Sequence, residues 1–221
     1  MRMLLATDIH GAADVLAAMM AEAGPVDAAL LGGDLTDFGT PGDAEKVVRA
    51  AAAAPRVFAV AGNCDSREID RRLESLGVGL NGLGTTYAGV RFQGLSAMPP
   101  WIHRMYHYTE DELAELLQRG LRQCGDRGPH VVLSHCPPRG LLDRTWLGSH
   151  AGSTALRTFL EQQHPTLVVC GHIHEGRGVE PFGATTVVNC GRGGDGYYAI
   201  AQWTGALTVE LRELGVKPPA T

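Results

Sequence analysis

The sequence predicts an α/β protein in which two β-sheets carry helices on their outer faces. Short apolar runs of strand length alternate with stretches of helical periodicity along most of the chain. Further β-rich segments with glycine-centred turns predict hairpins and a second, antiparallel sheet. No linker-like composition and no internal repeat interrupt this pattern, so we expect a single domain over residues 1–221.

Five apolar segments have the length and the continuous hydrophobicity of buried strands. They are MRMLLAT (1–7), DAALLGG (27–33), RVFAVAG (56–62), HVVLSH (130–135) and TLVVCG (166–171). A strand that is apolar at successive positions is covered on both faces, as in a parallel sheet with helices on its outside. These segments therefore predict the centre of the fold.

Stretches with apolar residues at helical spacing lie between these strands, and most of them end at Gly or Pro. They span residues 13–24, 42–55, 66–77, 109–120 and 153–164. Asp65, followed three residues later by Glu68, predicts a capping box at the start of the third helix. The predicted hairpins occupy residues 87–95, 177–189 and 197–211.

The composition is that of an ordinary globular protein. Charged residues make up 19% of the chain and hydrophobic residues 44%, a balance that argues against disorder. The net charge of −5 supplies no basic field for a nucleic-acid polymer. It does not exclude a small phosphate ester whose charge is neutralised by a metal ion.

The cysteines and the N-terminal segment indicate the cellular compartment in which we expect the protein. The five cysteines are odd in number and form no C-x-x-C pair, which favours reduced thiols. The first apolar run reaches Asp8 too early for a signal peptide, and no run approaches membrane length. We therefore expect a cytoplasmic protein without membrane association. The sequence is compatible with a homo-oligomer but does not specify one.

Polar residues with metal-binding chemistry follow each of the five predicted strands. In chain order they are Asp8 and His10, Asp34 and Asp37, Asn63 with Cys64 and Asp65, His135, and finally His172 and His174. In open α/β sheets, ligands bind in the crevice outside the carboxyl ends of the strands. Two histidines at a G-H-x-H spacing are by themselves more often structural. Their combination with the other strand-end residues favours a common site instead.

The donor types indicate which ligand such a site would bind. Carboxylate and imidazole groups without thiolate suit divalent ions such as Mn, Fe or Zn. Seven donors are too many for one tetrahedral ion, but they fit two ions about 3.5–4 Å apart that share a bridging carboxylate. The sequence therefore predicts a site for two metal ions.

The five motifs D-x-H, G-D-x-x-D, G-N-x-D, S-H and G-H-x-H, in this order between residues 8 and 174, resemble the calcineurin-like metallophosphoesterase family. The resemblance implies a four-layer αββα sandwich with two mixed β-sheets flanked by helices. It also implies that one metal ion is held by Asp8, His10 and His174, the other by Asn63, His135 and His172, and both by Asp34.

The reaction implied by the resemblance is hydrolysis of a phosphate ester by a hydroxide that bridges two divalent ions, either Mn, Fe, Ni or Zn, with Mn favoured. The residues expected to act in catalysis are Asp34, Asn63, Cys64 and His135. Asp37 is expected to support the second loop through a hydrogen bond, although an Asp at this place can also cap a turn.

Cys64 departs from the pattern of many family members, which have histidine at this position as the proposed proton donor to the leaving group. A thiol with a pKa of about 8.5 is a poor substitute for that imidazole. The G-N-C-D version resembles a subset that includes bacterial and archaeal phosphodiesterases, so we expect a phosphodiesterase. A phosphomonoesterase acting on nucleotides or phosphoproteins, and a catalytically silent interaction scaffold of the same fold, are the alternatives.

Two loops supply candidates for substrate binding. The segment AMPPWIHRMYHY (97–108) contains His103 and His107, and the segment 136–152 contains Arg139, Arg144 and His150. Aromatic and cationic side chains next to a metal site can form the wall of a pocket or contact a phosphate. Ordinary surface and packing roles explain the same residues equally well, so both interpretations stay open at this point.

Overall fold

The computed structural model describes residues 1–102 and 104–216. The first sheet has the strand order β11-β10-β1-β2-β3. Its strands are β1 (Arg2–Ala6), β2 (Ala28–Gly32), β3 (Val57–Val60), β10 (Tyr197–Trp203) and β11 (Leu207–Glu213). Strands β1, β2 and β3 run parallel, whereas β10 pairs antiparallel with both β1 and β11. The sheet is therefore mixed.

The second sheet has the order β4-β5-β6-β7-β9-β8. Its strands are β4 (Gly84–Tyr87), β5 (Val90–Leu95), β6 (His130–Ser134), β7 (Leu167–Cys170), β8 (Gly178–Phe182) and β9 (Thr185–Asn189). Parallel pairing joins β5, β6, β7 and β9, and an antiparallel strand closes each edge. This sheet is also mixed.

Five helices cover the outer faces of the sheets. They are α1 (Ala13–Ala23), α2 (Pro41–Ala50), α3 (Arg67–Ser75), α4 (Glu110–Leu121) and α5 (Thr154–Gln163). Helices α1 to α3 pack on the first sheet, and α4 and α5 pack on the second. All five predicted helices and all five predicted central strands are confirmed, with ends that differ by a few residues.

The alternation of side chains along each strand builds three layers of core. In β1, Leu4 and Ala6 face the helices α1 to α3, whereas Met3 and Leu5 face the other sheet. Between the sheets, the ring of Phe58 stacks on Phe92 with centroids 4.5 Å apart. A third apolar cluster fills the space between the second sheet and its helices. The predicted four-layer αββα sandwich is confirmed.

Two details of the predicted fold are wrong. The three hairpin segments do form hairpins, but they do not make a separate antiparallel sheet; they pair along the edges of the two parallel cores. Periodicity reports the strand and its turn, and it says nothing about which free edge the hairpin joins. Helix α3 is capped by Ser66, whose hydroxyl accepts from the Ile69 backbone N–H, and not by Asp65.

No helix among the described residues is both long and apolar enough to cross a membrane. All five cysteines are free and buried. Each packs within the fold as a small apolar side chain.

Candidate metal centre

Loops from both sheets meet at the carboxyl ends of their parallel strands. Backbone hydrogen bonds tie them together: the His10 N–H donates to the Asp34 carbonyl at 2.8 Å, and the Gly171 N–H donates to the His135 carbonyl at 3.0 Å. Contacts of the His172 N–H with the Asp8 carboxylate and of the His135 ring with the Gly32 carbonyl oxygen bring the loops after β1 and β2 against those after β6 and β7. The structure brings together all seven candidate ligands, namely Asp8, His10, Asp34, Asn63, His135, His172 and His174.

One group of candidate ligands consists of Asp8, His10 and His174. One ligand atom from each lies within 4.8 Å of those of the other two. The His174 Nε2 is 3.3 Å from the Asp8 Oδ1. The Asp8 carboxylate also accepts the backbone N–H of His172, at 3.2 Å to Oδ1 and 3.1 Å to Oδ2, which fixes its orientation.

A second group lies beside the first and contains Asn63, His135 and His172. The His135 Nε2 is 2.7 Å from the Asn63 Oδ1, and its Nδ1 is 3.0 Å from the Gly32 carbonyl oxygen. The His172 ring meets the His135 ring edge-on with centroids 5.0 Å apart. With its proton on Nδ1 and directed to Gly32, His135 would present the Nε2 lone pair to a cation, as Asn63 would present its Oδ1.

Asp34 lies between the two groups. Its Oδ2 is 3.8 Å from the His10 Nε2, and its Oδ1 is 3.6 Å from the His135 Nε2. The backbone N–H of Cys64 donates to Oδ1 at 2.7 Å and holds the carboxylate in this position. One oxygen therefore faces each group, as a bridging carboxylate requires.

The residues fit a pair of divalent cations. The buried Nε2 of His10 has no hydrogen-bond partner among the described residues. A buried ring nitrogen without a partner costs free energy unless something else binds it. Carboxylate, amide and imidazole donors without a required thiolate are typical of ions such as Mn, Fe or Zn. An ion held at this point would satisfy the His10 Nε2 and account for the convergence of the seven side chains.

The backbone at the centre is strained. Asp8, His10, Asp34 and His172 have φ values of 54°, 49°, 45° and 63°, in the left-handed region that residues with a Cβ rarely adopt. Strain of this kind persists where the surrounding structure imposes it, and it clusters at functional sites. Four of the seven candidate ligands therefore share a conformation that serves the position of their side chains.

Two glycines allow the carboxylates to approach the neighbouring loops. A Cβ added at Gly62 would overlap the Asp34 carboxylate, and one added at Gly171 would overlap the Asp8 carboxylate. These glycines are needed for close approach and not for an unusual φ, since neither has one. They explain why the G-N and G-H motifs begin with glycine.

Burial and the contacts between carboxylates and imidazoles shift the pKa values of several groups at the centre. Burial, together with the neighbouring His135, lowers the pKa of His172 to about 3, so its imidazole is neutral. Burial acts to raise the pKa of Asp8, but its hydrogen bond to His174 and the nearby imidazoles outweigh burial and lower it. The same hydrogen bond raises the pKa of His174. Burial and the Asp34 carboxylate raise the pKa of the Cys64 thiol.

Asp65, and not Asp37, supports the second loop. The Asp65 carboxylate accepts the backbone N–H groups of Leu35, Thr36 and Gly62, at 3.0, 2.9 and 2.8 Å. It also accepts the Thr36 hydroxyl at 2.7 Å. The Asp37 side chain is exposed and makes no hydrogen bond within the described part of the chain. The prediction for Asp37 is therefore wrong, because its neighbours point their donors at a different carboxylate.

The loop 97–108 lies against the second group. The Trp101 ring stacks on the His172 ring with centroids 5.6 Å apart and an interplanar angle of 21°. The Tyr106 N–H donates to the Asn63 carbonyl oxygen at 3.1 Å. His107 Nδ1 lies 2.8 Å from the Met105 carbonyl oxygen, a contact within its own loop. His103, a predicted substrate contact, lies outside the described residues.

The loop 136–152 holds the other predicted substrate contacts. His150 Nδ1 is 2.6 Å from the buried Asp143 Oδ1, and Arg139 donates to the His150 carbonyl oxygen at 3.2 Å. His150 and Arg144 line an open cavity of about 400 Å³ that includes Glu175, next to His174. The side-chain hydrogen bonds of Arg139 and His150 are thus made within their own loop, and a substrate role for either stays a prediction.

Asn189, at the end of β9, is a supporting residue that the sequence analysis missed. Its Nδ2 donates to the carbonyl oxygens of Ile173 at 2.8 Å and Gly171 at 3.3 Å, while its Oδ1 accepts the Gly191 N–H at 2.9 Å. It therefore fixes the loop that carries His172 and His174. The position of an Asn at the end of a predicted strand was the one signal that could have found it.

Comparison with known proteins identifies relatives that match most of the chain. The sequence profile of the calcineurin-like phosphoesterase family matches residues 1–176. A curated relative, uncharacterized protein MJ1162 of Methanocaldococcus jannaschii, is 27% identical over 196 residues, and the match covers 86% of this chain and 87% of that protein. The family match contains all seven candidate ligands.

Solved structures share the same fold. The protein TT1561 of Thermus thermophilus superposes with a TM-score of 0.74 at 20% sequence identity, covering 96% of this chain and 98% of that one. A dimetal phosphatase from Danio rerio superposes with a TM-score of 0.64 at 12% identity, covering 96% of both chains. At these identities the likeness establishes the architecture alone.

Proposed function

Because this chain belongs to the calcineurin-like phosphoesterase family, we propose that it is a phosphodiesterase that works with two divalent cations. The observation that carries the proposal is the position of Asp34. Its Oδ1 faces the His135 Nε2 at 3.6 Å and its Oδ2 faces the His10 Nε2 at 3.8 Å. A carboxylate in this position can be shared by two ions, which is the arrangement that metal-dependent phosphoester hydrolysis uses.

The candidate ligands divide between the two ions according to the groups described above. Asp8, His10 and His174 would hold one ion, Asn63, His135 and His172 would hold the other, and Asp34 would be common to both. When bound, the two ions provide a water-derived nucleophile at neutral pH and neutralise charge on the phosphoryl oxygens. Mixed nitrogen and oxygen donors are compatible with Mn, Fe, Ni or Zn, and we favour Mn.

The residues around the ligands keep this arrangement rigid before substrate binds. The Gly32 carbonyl oxygen orients His135, and the Cys64 N–H orients Asp34. Asp65 joins the loops after β2 and β3 through four hydrogen bonds. Because a displacement of about 1 Å at a catalytic centre can lower the rate about a hundredfold, these contacts belong to the function.

Cys64 favours diesters over monoesters. Its Sγ belongs to a cluster with His10 and Asp34 in which the ligand atoms lie within 4.8 Å of one another, so a thiol sits beside the centre where many relatives have an imidazole. A thiol is a weak proton donor compared with an imidazolium. The site therefore suits esters whose leaving group departs without a strong acid. The variant Cys64→His is expected to raise the hydrolysis rates of esters with poor leaving groups more than those of esters with good leaving groups.

The proposal is tested on metal-stripped protein reloaded with Mn, Ni, Mg or Zn. Elemental analysis is expected to find two ions per chain, and the loaded protein is expected to hydrolyse bis(p-nitrophenyl) phosphate faster than p-nitrophenyl phosphate. Asp34→Asn is expected to lose activity and at least one ion. Glu115→Gln, an exposed change on α4, serves as the control and is expected to keep both.

The two alternatives give different results in the same experiment. A phosphomonoesterase would hydrolyse the monoester at an equal or higher rate than the diester. An interaction scaffold would bind ions without hydrolysing either ester in any of the four metals. Against the scaffold, all seven candidate ligand positions carry residues able to bind a metal, and the structure brings them together.

A further inference from the structure

Large apolar side chains are exposed on three loops at the carboxyl edge of the sheets. These side chains are Phe38, Trp101, Ile102, Trp146 and Leu147. Isolated exposed apolar residues are common on protein surfaces and need no explanation. Two of the five are different, because each is fixed by a direct contact to a residue of the candidate metal centre. These two are Phe38 and Trp101.

Phe38 is held in an unfavourable conformation with its side chain in solvent. Its φ is 52°, in the left-handed region, where a bulky residue is an outlier, and 64% of its surface is exposed. Its backbone N–H donates to the Cys64 carbonyl oxygen at 2.9 Å, which fixes this turn next to the centre. Both the strain and the exposure oppose folding, so folding alone does not account for a phenylalanine here.

Trp101 presents a flat surface beside His172, a member of the second ligand group. One face of its indole lies on the His172 imidazole, at 5.6 Å between centroids and 21° between planes. Although the indole stacks on this ring, 41% of the surface of Trp101 remains exposed. The indole is thus held with its plane set by a candidate metal ligand, ready to stack on another ring.

A continuous series of contacts joins the two aromatic residues across the second ligand group. Trp101 stacks on His172, the His172 ring meets the His135 ring, and His135 is 2.7 Å from Asn63. Asn63 is bonded to Cys64, whose carbonyl oxygen holds Phe38. The two aromatic residues thus lie at the two ends of a series of contacts that runs through the second ligand group.

We propose that Phe38 and Trp101 bind the substituent of the phosphodiester that stays on phosphorus, and that this substituent carries a planar aromatic ring. The inference rests on the proposed function and adds the substrate class. Aromatic rings favour a planar partner over an alkyl chain, because stacking adds about 0.5–1.5 kcal/mol to the effect of buried area. This is equivalent to a rate difference of about two- to tenfold.

The test uses three diesters with the same p-nitrophenolate leaving group, so that the bond being broken is constant. The second substituent is benzyl, cyclohexylmethyl or methyl. Benzyl and cyclohexylmethyl have similar size and differ in planarity, whereas the methyl ester has no ring and gives the basal rate of hydrolysis. The Mn-loaded protein is expected to show a kcat/KM for the benzyl ester about fivefold above that for the cyclohexylmethyl ester. The difference is expected in KM more than in kcat.

The variants Phe38→Leu and Trp101→Leu keep an apolar side chain and remove the ring. Each is expected to bring the benzyl to cyclohexylmethyl ratio down towards one. The control is Trp146→Leu, the same change at an exposed tryptophan on the loop 136–152, which is expected to keep the wild-type ratio. A ratio read within one protein is insensitive to partial loss of active enzyme.

The outcomes test separately the substrate class, its assignment to Phe38 and Trp101, and the proposed function. A ratio near one in the wild type, or a preference for cyclohexylmethyl that indicates an alkyl-binding rim, overturns the inference while the proposed function stands. An unchanged ratio in both Leu variants, or an equal loss in the control, overturns the assignment to Phe38 and Trp101. Absence of hydrolysis of all three esters in every metal contradicts the proposed function itself.

Discussion

Gly62 lies so close to Asp34 that a Cβ on the glycine would overlap both the carboxylate and the backbone nitrogen of the aspartate. The contact joins the loop after β3 to the loop after β2. Because backbone on one side meets backbone on the other, neither partner can move aside by rotating a side chain. The approach of these two residues sets how near the second ligand group can come to the bridging carboxylate.

Gly62→Ala is therefore expected to reduce metal binding and stability together. The added methyl group pushes the Asp34 carboxylate away from its position between His10 and His135, and overpacking of this kind typically costs about 1–3 kcal/mol. The measurements are elemental analysis and urea unfolding of the same preparation. Gly42→Ala on α2, whose new Cβ would meet a single side-chain atom at 3.7 Å, is the control. If Gly62→Ala bound two ions normally, the steric argument would be wrong.

Metal ions are expected to stabilise the protein through Asp34. A ligand that binds the folded chain and not the unfolded one adds about 2.7 kcal/mol at a hundred times its dissociation constant. The thermal unfolding midpoint of the wild type should rise when Mn is added to the metal-stripped protein. Asp34→Asn should remove most of this shift while the metal-free midpoint changes little or rises, because a buried charge has gone. An undiminished shift in that variant would contradict the bridging position.

We expect the Asp65 carboxylate to contribute to the free energy of unfolding, and we expect no such contribution from Asp37. Asp65→Asn replaces one acceptor oxygen by an NH2 group that faces backbone donors, and an unmatched buried donor typically costs about 1–3 kcal/mol. Asp37→Asn changes an exposed side chain without a hydrogen bond among the described residues. Chemical unfolding of both metal-free variants checks this. Equal losses, or a larger loss for Asp37→Asn, would restore the role first assigned to Asp37.

Asp70 is expected to give the stability a pH dependence in weak acid. Burial raises its pKa from 3.8 to about 6, although Tyr106, Ser96 and Asn81 donate hydrogen bonds that act to lower it. The nearby Asp65 carboxylate adds to the rise. The folded chain thus holds a proton between pH 4 and pH 6 that the unfolded chain has released. Ionisation of Asp70 therefore destabilises the fold fully above pH 6, and the penalty is relieved as the pH falls towards 4.

The measurement compares the wild type with Asp70→Asn, which does not titrate. The free energy of unfolding of the wild type relative to the variant should increase by roughly 2–3 kcal/mol as the pH falls from 6 to 4. Both proteins are unfolded in urea with chelator present, so that loss of metal at low pH does not enter. A difference that stays constant, or that changes in the opposite direction, would show that Asp70 is ionised at its ordinary pKa.

The sequence determined the order and type of the central elements. Short continuous apolar runs are typical of strands covered on both faces, and helical periodicity with Gly or Pro stops predicted the five helices between them. Asp, His and Asn at the ends of these strands then predicted that the side chains share one edge. That part of the site could be predicted because neighbouring parallel strands end at the same edge of a sheet, and the loops that follow them begin there.

The tertiary structure decided everything that depends on which loops touch. Asp65 and Asp37 are both carboxylates in loops next to the centre, and periodicity cannot tell which one the backbone donors of Leu35, Thr36 and Gly62 will meet. Periodicity also does not indicate which sheet edge each hairpin joins. Nor does it indicate that Asn189 fixes the loop that carries His172 and His174. The distances between loops of the two sheets depend on how the whole core packs, so they cannot be inferred from local sequence.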